Sequence, residues 1–213
     1  MSDWKDHVDL SKSALVIIDV QNDFCHERGA AAINGGDVSG PQEFVPRLKN
    51  LIEYAHASDI PVFFVGNNHD QTTNSKVSMW RKKQHKKKYC ETGSWGAKFY
   101  GVQPTDKDIV IVKHRYSAFI RTDLELRLRA MGCESLLMTG VATSTCVEST
   151  LRHGFMLDFH TILVKDCTAN NLATSDAYDA TLYNVERHFG WISDSEEICT
   201  ALEERSEVKT VTS

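Results

Sequence analysis

Residues 136–150 read Leu-Leu-Met-Thr-Gly-Val-Ala-Thr-Ser-Thr-Cys-Val-Glu-Ser-Thr, and they join a predicted strand to a predicted helix. The apolar run has the length of a strand and breaks at Gly140, after which small residues lead to Cys146 in the first turn of the helix. Amides of that turn lack intrahelical acceptors, and the helix dipole adds positive potential there. We therefore predict a lowered pKa for Cys146 and a role as a nucleophile.

The chain holds six cysteines, which are scattered without a Cys-x-x-Cys pair or the spacing of a zinc site. Such cysteines are free thiols in a reducing compartment, and we interpret the five besides Cys146 as structural. Cys146 itself could equally be a small buried apolar residue, as free cysteines often are. Its partners elsewhere in the sequence decide between the two interpretations.

The composition indicates an ordinary globular protein of 213 residues with 41% apolar and 25% charged residues. We predict one domain over residues 1–213. The net charge of −5 does not favour binding to nucleic acid. No apolar run reaches membrane-spanning length, and residues 1–13 lack the apolar core of a signal peptide. The prediction is a cytoplasmic protein that does not associate with membranes.

Apolar runs without alternation recur along the chain, as is typical of parallel strands that are covered on both faces. Helical patterns lie between them, so we predict an α/β fold with a parallel, doubly wound sheet. The predicted strands are residues 13–20, 60–66, 108–113, 136–140, 159–164 and 191–192. The predicted helices are residues 41–58, 122–131, 146–155 and 175–189, and the predicted loops include residues 28–40 and 165–167.

Two of these apolar strands end in a charged side chain, Asp19 in the first and Lys113 in the third. Ligands of open α/β sheets bind beyond the carboxyl ends of the strands, so both residues are expected to converge there with Cys146. A carboxylate can take the proton of a thiol, and an ammonium stabilises both the thiolate and the carboxylate. The three residues thus predict acyl transfer, although Asp19 could instead cap a helix or form a structural ion pair.

Residues 67–100 have weak periodicity, and a segment of this length within a compact domain is often a lid or part of a site. They include a basic run at residues 81–88, which is most simply a solvated loop or helix face. Recruitment of an anionic substrate, or a contact between subunits, is the alternative. Aromatic residues are too few in the run to indicate binding of nucleic acid.

Three segments resemble, in order and spacing, the signature segments of the isochorismatase-like cysteine hydrolases. They are residues 16–24 (Val-Ile-Ile-Asp-Val-Gln-Asn-Asp-Phe), 113–119 (Lys-His-Arg-Tyr-Ser-Ala-Phe) and 139–147 (Thr-Gly-Val-Ala-Thr-Ser-Thr-Cys-Val). The resemblance implies a single-domain, Rossmann-like three-layer sandwich with a mostly parallel sheet. It also implies a catalytic triad of Asp19, Lys113 and Cys146. The peptide between Val141 and Ala142 would be cis, with the amides of Ala142 and Cys146 forming an oxyanion hole.

Nicotinamidases of this family carry an Asp-x-His segment and a further His as a metal site after the second strand. Residues 66–70 read Gly-Asn-Asn-His-Asp, which lacks that motif, so nicotinamidase activity and a bound zinc or iron are disfavoured. Residues 93–97 (Gly-Ser-Trp-Gly-Ala) and 113–119 resemble the metal-free branch, which contains ureidoacrylate, biuret and triuret amidohydrolases and N-carbamoylsarcosine amidase. That resemblance implies an amidohydrolase that acts on a small linear ureide or carbamoyl compound without a cofactor.

Five residues are candidates for contact with the substrate: Asn22, Phe24, Trp95, Arg115 and Tyr116. Each could instead be an ordinary loop contact or a core aromatic residue. Two other interpretations stay open, namely hydrolysis of the vinyl ether of isochorismate, which needs no thiol in those family members, and a non-catalytic relative that binds a partner. The family also implies a homodimer or a homotetramer, a choice that the sequence does not fix.

Overall fold

Six parallel strands form one sheet in a computed structural model that describes residues 3–81, 83–171 and 176–211. Their order across the sheet is β3-β2-β1-β4-β5-β6. The strands are β1 Ser13–Ile18, β2 Val62–Asn67, β3 Ile109–Lys113, β4 Ser135–Val141, β5 His160–Ala169 and β6 Trp191–Ser193. The chain runs outward from β1 to β3 on one side and from β4 to β6 on the other. The order therefore reverses between β1 and β4, where open α/β sheets place their ligands.

Helices flank the sheet on both faces and make it the middle of three layers. They are α1 Asn22–Cys25, α2 Ala30–Ile33, α3 Ser39–Ala57, α4 Lys76–Arg81, α5 Leu124–Ala130, α6 Glu148–Met156, α7 Asp176–Asn184 and α8 Ser195–Val211. Two single π-helical turns, Thr143–Val147 and Val185–Phe189, directly precede α6 and directly follow α7. None of the described helices combines the length and the apolar character that a bilayer crossing requires.

The buried side chains form two hydrophobic cores, one on each face of the sheet. Leu15 and Ile17 of β1 belong to the core that contains residues of α3 and α8. Val16 and Ile18 belong to the core that contains residues of α5 and α6. Successive residues of a strand face opposite sides, so an uninterrupted apolar strand is expected when both sides are covered. This is why β1 shows no alternation in its sequence.

The predicted α/β fold with a parallel, doubly wound sheet is confirmed, and each predicted strand overlaps an observed one. Besides shifts of one or two residues at the ends of elements, several larger differences occur. A helical turn, α2, lies within the predicted loop at residues 28–40, and the predicted loop at residues 165–167 belongs to β5. The helix α3 begins at Ser39, and α6 begins only after the π-helical turn that holds Cys146. The predicted start of the next helix, residue 175, lies outside the described residues.

Gly140 does not end its strand as predicted, because β4 continues through Val141. Its φ of 107° lies in a region that side chains rarely allow, and a Cβ atom there would lie 2.0 Å from the carbonyl oxygen of Ile18. Glycine is therefore the residue that lets β4 approach β1 this closely. The pairing of β4 with β5 also shifts register between Met138 and Gly140.

Candidate active site

Asp19 and Lys113 form an ion pair at the carboxyl ends of β1 and β3. Lys113 Nζ lies 2.7 Å from Asp19 Oδ2, and neither side chain is exposed to solvent. Lys113 also donates a hydrogen bond to the carbonyl oxygen of Arg115, at 3.1 Å. Burial by itself lowers the pKa of Lys113, but the neighbouring Asp19 and Cys146 raise it by more, so the net pKa is raised. The lysine is thus held as an ammonium beside the carboxylate.

Cys146 lies in the π-helical turn after β4, next to this pair, and is 5% exposed. Thr150 Oγ1 donates to its carbonyl oxygen at 2.7 Å, which fixes the backbone of the turn. Burial raises the pKa of the Cys146 thiol to about 12; Lys113 acts against this rise, and Asp19 adds to it. The predicted lowering of the pKa is therefore wrong, because loss of hydration outweighs the helix turn and the ammonium.

Asp19 is positioned by a third residue, Asn67, at the carboxyl end of β2. Asn67 Nδ2 donates to Asp19 Oδ2 at 3.3 Å, the oxygen that also pairs with Lys113. Asp19 Oδ1 is buried and has no hydrogen-bond partner among the described residues. The φ of Asp19 is 53°, a left-handed conformation that aspartate tolerates better than most residues. One carboxylate oxygen is thus held, and the other is available to accept a proton.

The three groups suit a reaction in which a neutral thiol gives up its proton as it attacks. A thiol with a pKa of about 12 carries little thiolate at neutral pH, so it needs a base at the moment of attack. Asp19 is the carboxylate beside it, and Lys113 pairs with that carboxylate at 2.7 Å. The arrangement supplies a nucleophile, a base and a cation within a water-poor site.

Two adjoining cavities open over the ends of β2 and β3. The inner cavity has a volume of about 280 Å³ and includes Asn67, Arg115 and Tyr116 in its wall. The outer cavity, also about 280 Å³, is formed largely by residues 74–91. His69 and His114 belong to the walls of both, with ring centroids 6.4 Å apart. Asn67, in the wall of the inner cavity, donates a hydrogen bond to the Asp19 carboxylate. The inner cavity is therefore one residue away from Asp19.

The five residues predicted to contact the substrate fall into two groups. Arg115 and Tyr116 line the inner cavity. Asn22, Phe24 and Trp95 line neither cavity, although Phe24 packs against a residue of the outer wall. Asn22 Nδ2 donates to the carbonyl oxygen of Trp95 at 2.8 Å, and the ring of Phe24 stacks on Tyr89, which does line the outer cavity.

The predicted oxyanion donors, Ala142 and Cys146, both belong to the turn after β4. The peptide bond between Val141 and Ala142 is cis. The carbonyl oxygen of Ala142 accepts hydrogen bonds from the amides of Thr145 at 3.0 Å and Val147 at 3.2 Å, which closes the turn. A role of the two amides in binding an oxyanion stays a prediction.

Sequence reasoning missed Asn67, His69 and His114 as parts of the site. Asn67 ends an apolar strand with a polar side chain, so the rule that selected Asp19 and Lys113 would have selected it as well. The two histidines gave no comparable signal, because they lie in loops. His114 Nδ1 lies 2.5 Å from the carbonyl oxygen of Asn68, so this ring nitrogen donates a hydrogen bond to that oxygen.

The doubly wound sheet and the clustered Asp, Lys and Cys side chains define an α/β enzyme of the hydrolase class. Comparison with known proteins agrees, since the family model of the isochorismatase domain matches residues 13–197. A ureidoacrylate amidohydrolase from Yersinia enterocolitica is 36% identical over 207 residues, which cover 90% of each chain. The chain therefore belongs to the isochorismatase family.

Solved structures share the fold at lower identity. A cysteine hydrolase from Pseudomonas syringae pv. phaseolicola superposes with a TM-score of 0.81 and 20% identity, covering 92% of this chain and 95% of the other. N-carbamoylsarcosine amidase from Thermoplasma acidophilum superposes with a TM-score of 0.70 and 24% identity, covering 86% and 96%. At such identities the likeness establishes the fold alone.

Proposed function

We propose that this protein is a cysteine-dependent amidohydrolase that cleaves a C–N bond of a small linear ureide or carbamoyl amide. The observation that carries the proposal is the convergence of Asp19 and Lys113, 2.7 Å apart, with Cys146 at the carboxyl ends of β1, β3 and β4. The name of the Yersinia relative, a ureidoacrylate amidohydrolase, supports the ureide class. The metal-free assignment follows from the missing Asp-x-His motif at residues 66–70.

In the proposed reaction, Asp19 takes the proton of Cys146 while the sulfur attacks the carbonyl carbon of the substrate. The amides of Ala142 and Cys146 stabilise the oxyanion that forms. When the intermediate collapses, the C–N bond breaks and the leaving nitrogen takes the proton from Asp19 as ammonia or an amine. Water then adds to the carbonyl carbon of the thioester, which is a thiocarbamate when the substrate is a ureide, and the C–S bond breaks. Asp19 accepts a proton from the water and returns it to the sulfur, and the acyl group leaves as a carbamic or carboxylic acid. Lys113 remains an ammonium throughout and compensates the charge on Asp19.

Ammonia release from a panel of compounds tests this proposal. The panel contains biuret, triuret, ureidoacrylate, N-carbamoylsarcosine and nicotinamide, each assayed with wild-type protein and with Cys146→Ala. At least one ureide is expected to release ammonia with the wild type, and Cys146→Ala is expected to reduce that rate by at least about 1,000-fold.

Cys133→Ala is the matched control. Cys133 is also a buried thiol, but it precedes β4 and therefore lies at the opposite end of the sheet from Cys146. The Cys133→Ala variant should release ammonia at the wild-type rate. Ammonia release by Cys146→Ala at the wild-type rate would overturn the thiol mechanism. Turnover of isochorismate that survives the same substitution would place the protein with the thiol-independent members of the family instead.

A further inference from the structure

The inner cavity is positively charged, although the protein as a whole carries a net charge of −5. Arg81, the last residue of α4, and Arg115, in the segment after β3, both contribute to its wall. Among the described residues, no Asp or Glu belongs to that wall. In the part of the chain that the structure describes, neither arginine has a carboxylate within 4 Å. Two guanidinium groups are thus uncompensated in one small cavity.

The carboxylates near this cavity are already engaged. Asp19 pairs with Lys113. Asp70 Oδ1 accepts hydrogen bonds from Thr72 and Thr73, which lower the pKa of Asp70 to about 2. Each of these acids is held by its own neighbours, so neither balances the arginines. Both arginines are therefore available to pair with an anionic group of a ligand.

Arg115 is held in a fixed position for such a contact. Its Nη1 atom donates to the carbonyl oxygens of His114, at 2.7 Å, and of Thr73, at 3.0 Å. These two bonds use one of the three guanidinium nitrogens, so the other two can still donate. A guanidinium presents its donors in a fork that matches the two oxygens of a carboxylate. Arg81 is exposed and can approach from the rim of the same cavity.

We propose that the substrate carries a carboxylate at the end remote from the scissile bond, and that Arg115 and Arg81 bind it. The proposal rests on the amidohydrolase function proposed above and narrows it to ureido acids and N-carbamoyl amino acids. Asn67, which donates a hydrogen bond to Asp19, belongs to the same cavity wall as the two arginines, so the proposed carboxylate site adjoins the residue that positions the base. Neutral ureides such as biuret and triuret leave the arginines unpaired and are poor substrates.

Two matched compounds test the inference, 3-ureidopropionate and 3-hydroxypropylurea. They share the ureide, and they differ in bearing a carboxylate or a neutral hydroxymethyl group at the far end. The wild type is expected to show a kcat/KM for ammonia release at least about 10-fold higher with the acid. Arg115→Gln and Arg81→Gln should each raise KM for the acid by about 10-fold or more, so that the preference for the acid over the neutral compound falls by a similar factor.

Two further variants separate charge from structure. Arg115→Lys keeps the charge without the fork and should fall between wild type and Arg115→Gln. Arg187→Gln removes an exposed arginine from a different groove and should match the wild type with both compounds. Because Arg115 also supports two backbone carbonyls, Arg81→Gln carries the test if Arg115→Gln does not fold.

The outcomes distinguish this inference from the proposed function. Equal kcat/KM for the two compounds, with release that depends on Cys146, would overturn the carboxylate assignment and keep the amidohydrolase. An equal loss of kcat/KM with the two compounds in Arg115→Gln and Arg81→Gln would also overturn the carboxylate assignment. Calorimetric titration of Cys146→Ala measures binding without turnover. If that protein bound the acid through Arg81 and Arg115 while wild type released no ammonia from any ureide, the anion site would stand and the proposed reaction would fall.

Discussion

Gln21 forms two hydrogen bonds with the backbone of Asn67, one through each end of its amide. Nε2 donates to the Asn67 carbonyl oxygen at 2.9 Å, and the Asn67 amide donates to Oε1 at 2.8 Å. The same Nε2 donates to the carbonyl oxygen of Ala97 at 2.6 Å. Since the side chain of Asn67 donates to Asp19, Gln21 ties the carboxylate both to β2 and to the segment around Ala97.

Gln21→Ala is expected to lower both stability and activity. It leaves the amide and carbonyl of Asn67 and the carbonyl of Ala97 without these partners in a buried site, which should cost about 3 kcal/mol of unfolding free energy. Urea denaturation measures the loss, and ammonia release should fall by about 10-fold because Asn67 no longer positions Asp19. Gln103→Ala removes an exposed glutamine that donates to one carbonyl, and it should cost about 0.5 kcal/mol or less. Equal losses in the two variants would contradict the role of Gln21.

Asp19→Asn and Lys113→Met should move the pKa of Cys146 in opposite directions. Asp19 raises that pKa and Lys113 lowers it. Asp19→Asn therefore lowers the pKa yet abolishes turnover, because the base is lost. Lys113→Met raises the pKa and should cost about 3–5 kcal/mol of stability, since it leaves a buried carboxylate unpaired. The pH dependence of Cys146 alkylation by iodoacetamide, followed by peptide mass spectrometry, measures both shifts, and shifts of the same sign would refute this electrostatic account.

Gly140→Ala should destabilise the protein strongly. A methyl group there would lie 2.0 Å from the carbonyl oxygen of Ile18, and the φ of 107° is unfavourable for alanine. The expected cost is more than about 3 kcal/mol in urea denaturation. Gly132→Ala is the control, because Gly132 also has a positive φ, 70°, but a Cβ atom there would meet nothing within 4 Å. Gly132→Ala should cost about 1 kcal/mol of unfolding free energy. If the two substitutions cost the same, the close approach of β4 to β1 is not the reason that a glycine is required at position 140.

Stability should fall as the pH rises above 9. Burial raises the pKa of Cys25, Cys146 and Cys167 above the ordinary value of 9.0. Between pH 9 and the folded pKa, only the unfolded chain loses these protons, so rising pH favours unfolding. Lys113 acts in the same direction, because its folded pKa is raised above 10.5 and its stabilising charge is lost as the pH passes the folded value.

Urea denaturation at pH 8 and pH 10 measures this effect. One unit above 9.0, each buried thiol should cost about 1.4 kcal/mol. Cys167→Ala should lower the starting stability but lose about 1.4 kcal/mol less between the two pH values. An unfolding free energy that stays constant from pH 8 to pH 10 would show that these thiols are not desolvated in the fold.

The sheet was predictable because burial on both faces leaves a local signature. The apolar runs that became β1, β2 and β4 contain few polar residues, and this pattern requires no knowledge of which strands are neighbours. The ends of strands and helices were harder to predict wherever a tertiary contact overrides a local conformational preference. Gly140 in isolation indicates the end of a strand, yet it remains in β4 because a glycine is needed against Ile18. The segment at residues 67–100 has no such signature, and it supplies most of the outer cavity wall.

By itself, the sequence determined the parallel α/β sheet and which polar side chains stand at its carboxyl ends, since both follow from residue order along single strands. Only the tertiary structure decided the properties of those side chains. The pKa of Cys146 is raised although its place near the start of a helix suggests the opposite, because desolvation depends on everything packed around the sulfur. Likewise, Arg81 and Arg115 lie 34 positions apart in the sequence and meet in one cavity only because α4 folds over the end of β3.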